Sequence, residues 1–112
     1  MSGRILVTGI GIISAIGLDS VQVLNGLKSK QSGIKKIEIL DTIHKNQLPA
    51  GEVKLTNSEL MNMTGLNHKK NYSRTSLLGI IAAQEAFTQA GGTSREVRTG
   101  LISATTVGGM DR

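Results

Sequence analysis

The sequence contains no cysteine. That excludes disulfides, thiolate metal sites and a cysteine nucleophile within these 112 residues. Aromatic residues are almost missing, with Tyr72 and Phe87 the only two. A core must therefore come from Ile, Leu, Val, Ala and Met, a set that suits α/β layers better than an aromatic-rich sandwich. Long apolar runs are also absent. The longest stretches, residues 10–18 and 77–83, fall far short of the roughly 20 residues that span a bilayer. Arg4 before an apolar run, with Ala15-Ile16-Gly17 behind it, imitates a secretory leader. Thr8, Gly9, Gly11 and Ser14 interrupt that run, so the expected location is cytoplasmic, with no membrane association.

What is present fits one globular unit. The chain is long enough for a real core, and 38% of it is hydrophobic. The formal net charge of +5 favours acidic partners without naming one. Lys35-Lys36 and Lys69-Lys70 are the only paired basic residues that stand out. With no aromatics interleaved among them, nucleic-acid binding is not expected.

Periodicity gives the expected elements. Residues 4–10, RILVTGI, are short, apolar and β-branched, and predict a strand buried on both faces. Asp19 or Ser20 offers an N-cap, and Val21, Val23, Leu24 and Leu27 follow at helical spacing. Lys28 and Lys30 sit where the helix dipole favours cations, and Gly33 is the expected stop. Residues 34–40 predict a second strand, 41–49 a loop and 51–55 a short strand. Thr56-Asn57-Ser58-Glu59 opens a polar-capped helix through Met63, and residues 62–71 are expected to be exposed. The clearest helix spans 73–90. Its apolar residues cover most of the circumference, which predicts burial between layers. Gly91-Gly92 ends it. Residues 99–106 predict a third buried strand, and Val107-Gly108-Gly109-Met110 a turn.

The loop after the first segment, "VTGIGIISAIG", raises the possibility of a dinucleotide cradle. That fingerprint needs G-x-G-x-x-G/A between a strand and a helix. Gly9 and Gly11 fit, but the third position is Ser14. Ile10, Ile12 and Ile13 keep the stretch apolar, and the helix begins only near Asp19, whose charge opposes an anion. No P-loop pattern is present. The alternative use of the glycines is to let the chain bend and other backbone pass close. His44 and His68 lack metal spacing and read as loop histidines. Ser14, Ser73, Ser76 and Ser103 lack a G-x-S-x-G context. Glu52 and Glu59 make no catalytic pair. No complete catalytic constellation is present, and no cofactor is expected.

The pattern as a whole resembles one family. "RILVTGIGIISAIG", followed by a helix and "SKQSGIKKIE", is similar to the start of β-ketoacyl-[acyl-carrier-protein] synthases, and so is "LLGIIAAQEAFTQAGG" leading to "GLISATTVGGM". The resemblance runs in order over essentially the whole chain. It implies a thiolase-like α/β fold, a layered αβαβα sandwich, of which residues 1–112 form the N-terminal part of the N-terminal half. It implies a decarboxylative Claisen condensation of acyl and malonyl thioesters, in fatty acid or polyketide-type biosynthesis. The partner is an acyl carrier protein, there is no metal or redox cofactor, and the intact protein is a homodimer or a ketosynthase-like heterodimer. The family's cysteine lies beyond the V-G-G turn and its two histidines later still, so this segment alone is expected to be inactive.

Position by position, the resemblance places Val107, Gly108, Gly109 and Met110 along the acyl pocket. It places Lys69 and Lys70 where basic residues meet the carrier. Gly9, Gly11 and Gly17 are structural, and Arg74 fastens the long helix to its surroundings. Two other readings stay open: a cysteine-less partner subunit of the chain-length-factor kind, and a small nucleotide-binding α/β domain.

Overall fold

The structure, a computed structural model, describes residues 3–92 and 96–106. Along the chain it has α1 (Ser20–Lys28), β1 (Ile34–Lys36), β2 (Pro49–Gly51), α2 (Asn57–Thr64) and α3 (Arg74–Gln89). β1 and β2 pair antiparallel, with Ile34 opposite Gly51 and Lys36 opposite Pro49.

Each helix is framed by local hydrogen bonding. Asp19 caps α1 by accepting from the Gln22 N–H at 2.8 Å. Its C-terminus is closed by two backbone bonds, Gln31 N–H to the Gly26 carbonyl and Lys30 N–H to that of Leu27. That is a Schellman closure with Lys30 in the left-handed region at φ 55°. The helix thus ends at Lys28, ahead of the expected stop at Gly33. Gly33 serves packing instead, since a Cβ there would sit 2.7 Å from the Ala15 Cβ. Thr56 and Glu59 form a capping box on α2, and Gly65 at φ 68° closes it. Ser73 caps α3, and Gly91 and Gly92 return their N–H groups to Thr88 and Phe87, a second Schellman closure.

The core lies where α2 crosses α3. Leu60 and Leu77 are fully buried there, with Val53, Met61 and Ile81 around them. Ile13, Leu18, Leu55, Leu66, Tyr72 and Leu78 pack on its margin. The expectation that α3 is buried around most of its circumference is corrected. One stripe, Leu77 and Ile81, is buried, while Phe87 is half exposed. Gly79 stands mid-helix with open space where a Cβ would be. Gly79→Ala is therefore expected to stabilise the fold by about 0.5–1 kcal/mol, the helical penalty of glycine against alanine. Denaturant midpoints of the two proteins check this.

Four expected strands are corrected. Residues 4–10 and 99–106 belong to no strand and have no ladder partner among the described residues. Ile5 and Ile102 are 99% and 100% exposed, not buried. The strand expected over 34–40 stops at Lys36, and the one expected over 51–55 is displaced to Pro49–Gly51. The physical reason is visible in the hydrogen bonds. Beyond Lys36, the N–H groups of Glu38, Ile39 and Leu40 all donate to the Glu52 carboxylate. The Val53 and Leu55 carbonyls accept from the Arg74 guanidinium. Side chains occupy groups that a neighbouring strand would otherwise take.

Candidate functional site

The helix α3 organises the residues that sequence singles out. Ala82, Glu85, Ala86 and Gln89 share one of its faces, at the i, i+3, i+4, i+7 spacing of a helix. The glycine loop lies on that face. Ile10 N–H donates to Gln89 Oε1 at 2.7 Å, and Ile12 N–H to Glu85 Oε2 at 2.9 Å. The other Glu85 oxygen accepts from the Ser20 N–H and hydroxyl at 2.8 and 2.5 Å.

The two alanines keep the face low enough for the loop to approach. A Cβ on Gly9 would strike the Ala86 carbonyl oxygen, and one on Gly11 the Ala82 carbonyl oxygen, with the Ala86 nitrogen only 2.9 Å away. Gly17 lies against the first turns of α1, where a Cβ would meet the Val23 nitrogen. The closest approaches to Gly9 and Gly11 are therefore all from backbone, and those to Gly17 from backbone and the Gln22 Cβ. The hydrogen bonds from Ser20, then the one from Ile12, hold the Glu85 carboxyl below its usual range. The Ile10 and Ile12 N–H groups are thus already engaged, and the Glu85 carboxylate beside them opposes a phosphate.

Arg74 binds the opposite side of the core. Its guanidinium donates to the Val53 carbonyl at 2.7 Å, the Leu55 carbonyl at 2.8 Å and Asn57 Oδ1 at 3.1 Å. One side chain thereby ties α3 to the chain leading into α2. Gln84 adds a bond from α3 to the Thr64 carbonyl at the far end of α2.

Between these ties runs the connection that carries Lys69 and Lys70, both exposed. Asn67 shapes it, accepting from the Lys69 N–H through its side chain and from the Lys70 N–H through its carbonyl. Lys70 lines a groove of about 510 Å³ together with His68, Asn71, Asn57 and Ser58, over a floor of Met61, Tyr72 and Leu77. No carboxylate lines it, so its chemistry suits an anionic group beside an apolar one. His44, by contrast, is 3.3 Å from Gln47 Oε1 on a separate turn.

Glu52 is the residue whose importance sequence reasoning missed. It is 3% exposed, and Lys54 Nζ lies 2.7 Å from it and 3.3 Å from Glu38. Burial alone would push the carboxyl up. The Lys54 ammonium, then the N–H groups of Leu40, Glu38 and Ile39, outweigh that and hold it down at about 2. The alternation in Glu52-Val53-Lys54-Leu55 would have put Glu52 on a solvent face.

Val107, Gly108, Gly109 and Met110 lie outside the described residues. Among the described residues, no cluster of three His, Asp or Glu could hold a metal ion. Nor is any helix there long and apolar enough to cross a membrane.

Over 102 residues the chain is 32% identical to the 3-oxoacyl-[acyl-carrier-protein] synthase 1 of Haemophilus influenzae. The match covers 88% of this chain and 24% of that protein, so the chain spans about a quarter of its relative's length. No family model and no solved structure matches the chain. The similarity points to a ketosynthase-like fragment.

Proposed function

We propose that these residues are the N-terminal portion of a β-ketoacyl-acyl-carrier-protein synthase with a thiolase-like layered fold. The observation that carries this reading is the 32% identity to a 3-oxoacyl-carrier synthase, spread over 88% of the chain. The apolar segments 4–10 and 99–106 support it, because both have the composition of buried strands and no partner strand among the described residues. In the whole protein a cysteine takes the acyl group from its carrier as a thioester. Malonyl carrier loses carbon dioxide, and the resulting carbanion attacks the thioester carbonyl. The cysteine leaves as thiolate and a 3-oxoacyl carrier is released. Two histidines stabilise the developing oxyanion and assist decarboxylation. Neither His44 nor His68 is assigned to those roles.

The part of this segment is scaffolding and recognition. α3 braces the glycine loop on one side and the 53–57 stretch on the other. Lys69 and Lys70 present positive charge to an acidic carrier, and Val107 to Met110 contribute to the acyl pocket. The intact protein is a cytoplasmic dimer without metal or redox cofactor, and residues 1–112 alone are inactive. The reading as a nucleotide domain is disfavoured by the loop's hydrogen bonds to Gln89 and Glu85.

A condensation assay on the intact protein tests the proposal. With acyl and malonyl carriers it yields the 3-oxoacyl carrier and carbon dioxide. An absence of product together with saturable binding of NAD(H) or ATP would overturn it. An absence of product with no nucleotide binding, but with a catalytic subunit co-purifying, would favour the cysteine-less partner subunit. Within the active protein, Lys69→Glu with Lys70→Glu is expected to raise KM for the carrier about tenfold and leave kcat nearly unchanged, because exposed charges at a rim steer association. Equal KM values would remove these lysines from the carrier surface.

A further inference from the structure

A second basic groove lies away from Lys70, between β1 and the turn that follows it. Lys36, Lys45, Asn46, Gln47, Leu48 and Pro49 line it, around about 370 Å³. The turn is ordered by its own backbone, Lys45 N–H to the Thr42 carbonyl and the Gln47 and Leu48 N–H groups to that of His44.

Charge is unbalanced here. The nearby carboxylates of Glu38 and Glu52 are both paired with Lys54. Neither Lys36 nor Lys45 is in an ion pair among the described residues, and no acidic side chain lines the groove. Two lysines line one concavity, and their like charge favours an incoming anion. His44 engages Gln47 Oε1, which leaves the amide nitrogen of Gln47 to donate. Ile43 and Leu48, on the same turn, are exposed large apolar side chains.

We infer that this groove docks a carboxylate-bearing polypeptide segment, with Lys36 and Lys45 pairing its acidic side chains and Ile43 and Leu48 meeting apolar ones. The donor set selects among anions. A guanidinium fork, a glycine nest or a helix N-terminus would mark a phosphate cradle, and none lines the groove. Lysines are point charges on flexible stems and suit spaced carboxylates. No aromatic is present to stack a base. A concave patch meets a protruding side chain better than the plane of a bilayer. The surface is separate from Lys69 and Lys70 and does not depend on the condensing activity.

The test is fluorescence anisotropy of a fluorescein-labelled oligoglutamate peptide titrated with the intact protein, at about 50 mM salt, below physiological ionic strength. The peptide binds, and binding weakens as salt rises. Lys36→Ala with Lys45→Ala weakens it about tenfold or more, while Lys36→Arg with Lys45→Arg retains it. Lys69→Ala with Lys70→Ala keeps most of the affinity. The inference is overturned if the peptide does not bind, or binds the double alanine variant as well as wild type. It is also overturned if the Lys69 and Lys70 variant loses the affinity instead. Displacement by inorganic phosphate at matched ionic strength would reassign the groove to small anions, and binding of phosphatidylserine vesicles without binding of peptide would reassign it to membranes.

Discussion

Glu52→Ala is expected to cost about 3 kcal/mol of folding stability at neutral pH, among the largest effects of any single change to a side chain in this chain. The carboxylate accepts three backbone N–H groups and the Lys54 ammonium in a site with almost no solvent. Removing it leaves three donors unsatisfied and Lys54 with the exposed Glu38 and the Lys36 carbonyl. The effect carries a pH signature. The folded-state pKa is depressed from 4.5 to about 2, so the folded state binds this proton less readily than the unfolded chain. The stabilisation is fully present above about 4.5 and is lost as pH falls through about 2. Hydrogen exchange at the amides of Glu38, Ile39 and Leu40 reads this directly. At neutral pH they exchange about a hundredfold faster in the variant, on the scale of tenfold per 1.4 kcal/mol. The gap between the proteins narrows as pH is lowered across that window. A gap that does not change with pH would show that the carboxylate charge is not what holds the turn.

Gly11→Val is expected to destabilise by about 3 kcal/mol, at the upper end of the range for overpacking. The new Cβ would enter the Ala82 carbonyl group, whose carbon lies 2.8 Å from its position. Both atoms that would have to move are backbone, one in the loop and one in α3. Relief therefore separates the loop from the helix and breaks the bonds from Ile10 to Gln89 and from Ile12 to Glu85. Urea midpoints, with exchange at the Ile10 and Ile12 amides, separate this from a general loss of packing. A variant within about 0.5 kcal/mol of wild type, as for an ordinary surface site, would mean that the loop does not rest on α3.

These two sites also show where sequence reasoning reaches and where it stops. Helices were legible because their signals are local. Asp19, Thr56 and Ser73 each stand one residue before the helix they cap, and Gly91-Gly92 closes α3 as glycine's left-handed freedom allows. The end of α1 was misread because Lys30 takes the left-handed position that glycine usually fills. Strands were less legible because a strand needs a partner. Residues 4–10 and 99–106 have the composition of buried strands, but composition does not supply the neighbour that completes a ladder. The roles of Glu52 and Glu85 were hidden for a related reason. Each carboxylate acts on backbone far along the chain, 12–14 residues away for Glu52 and 65–73 for Glu85. The one readable trace was the stripe Ala82, Glu85, Ala86, Gln89, small residues and acceptors on one helix face, matched to two glycines.

The most direct measurement of the central claim is acyl transfer to the protein itself. The intact protein, isolated from its source, is incubated with a radiolabelled acyl carrier, quenched in acid and separated under denaturing conditions. The account predicts label on a polypeptide that contains residues 1–112 but is several times heavier than 11.8 kDa. That label is stable to acid and released by hydroxylamine, as a cysteine thioester would be. A protein that stays unlabelled, or a polypeptide of only 11.8 kDa, would contradict it, since these residues hold no cysteine to carry the acyl group.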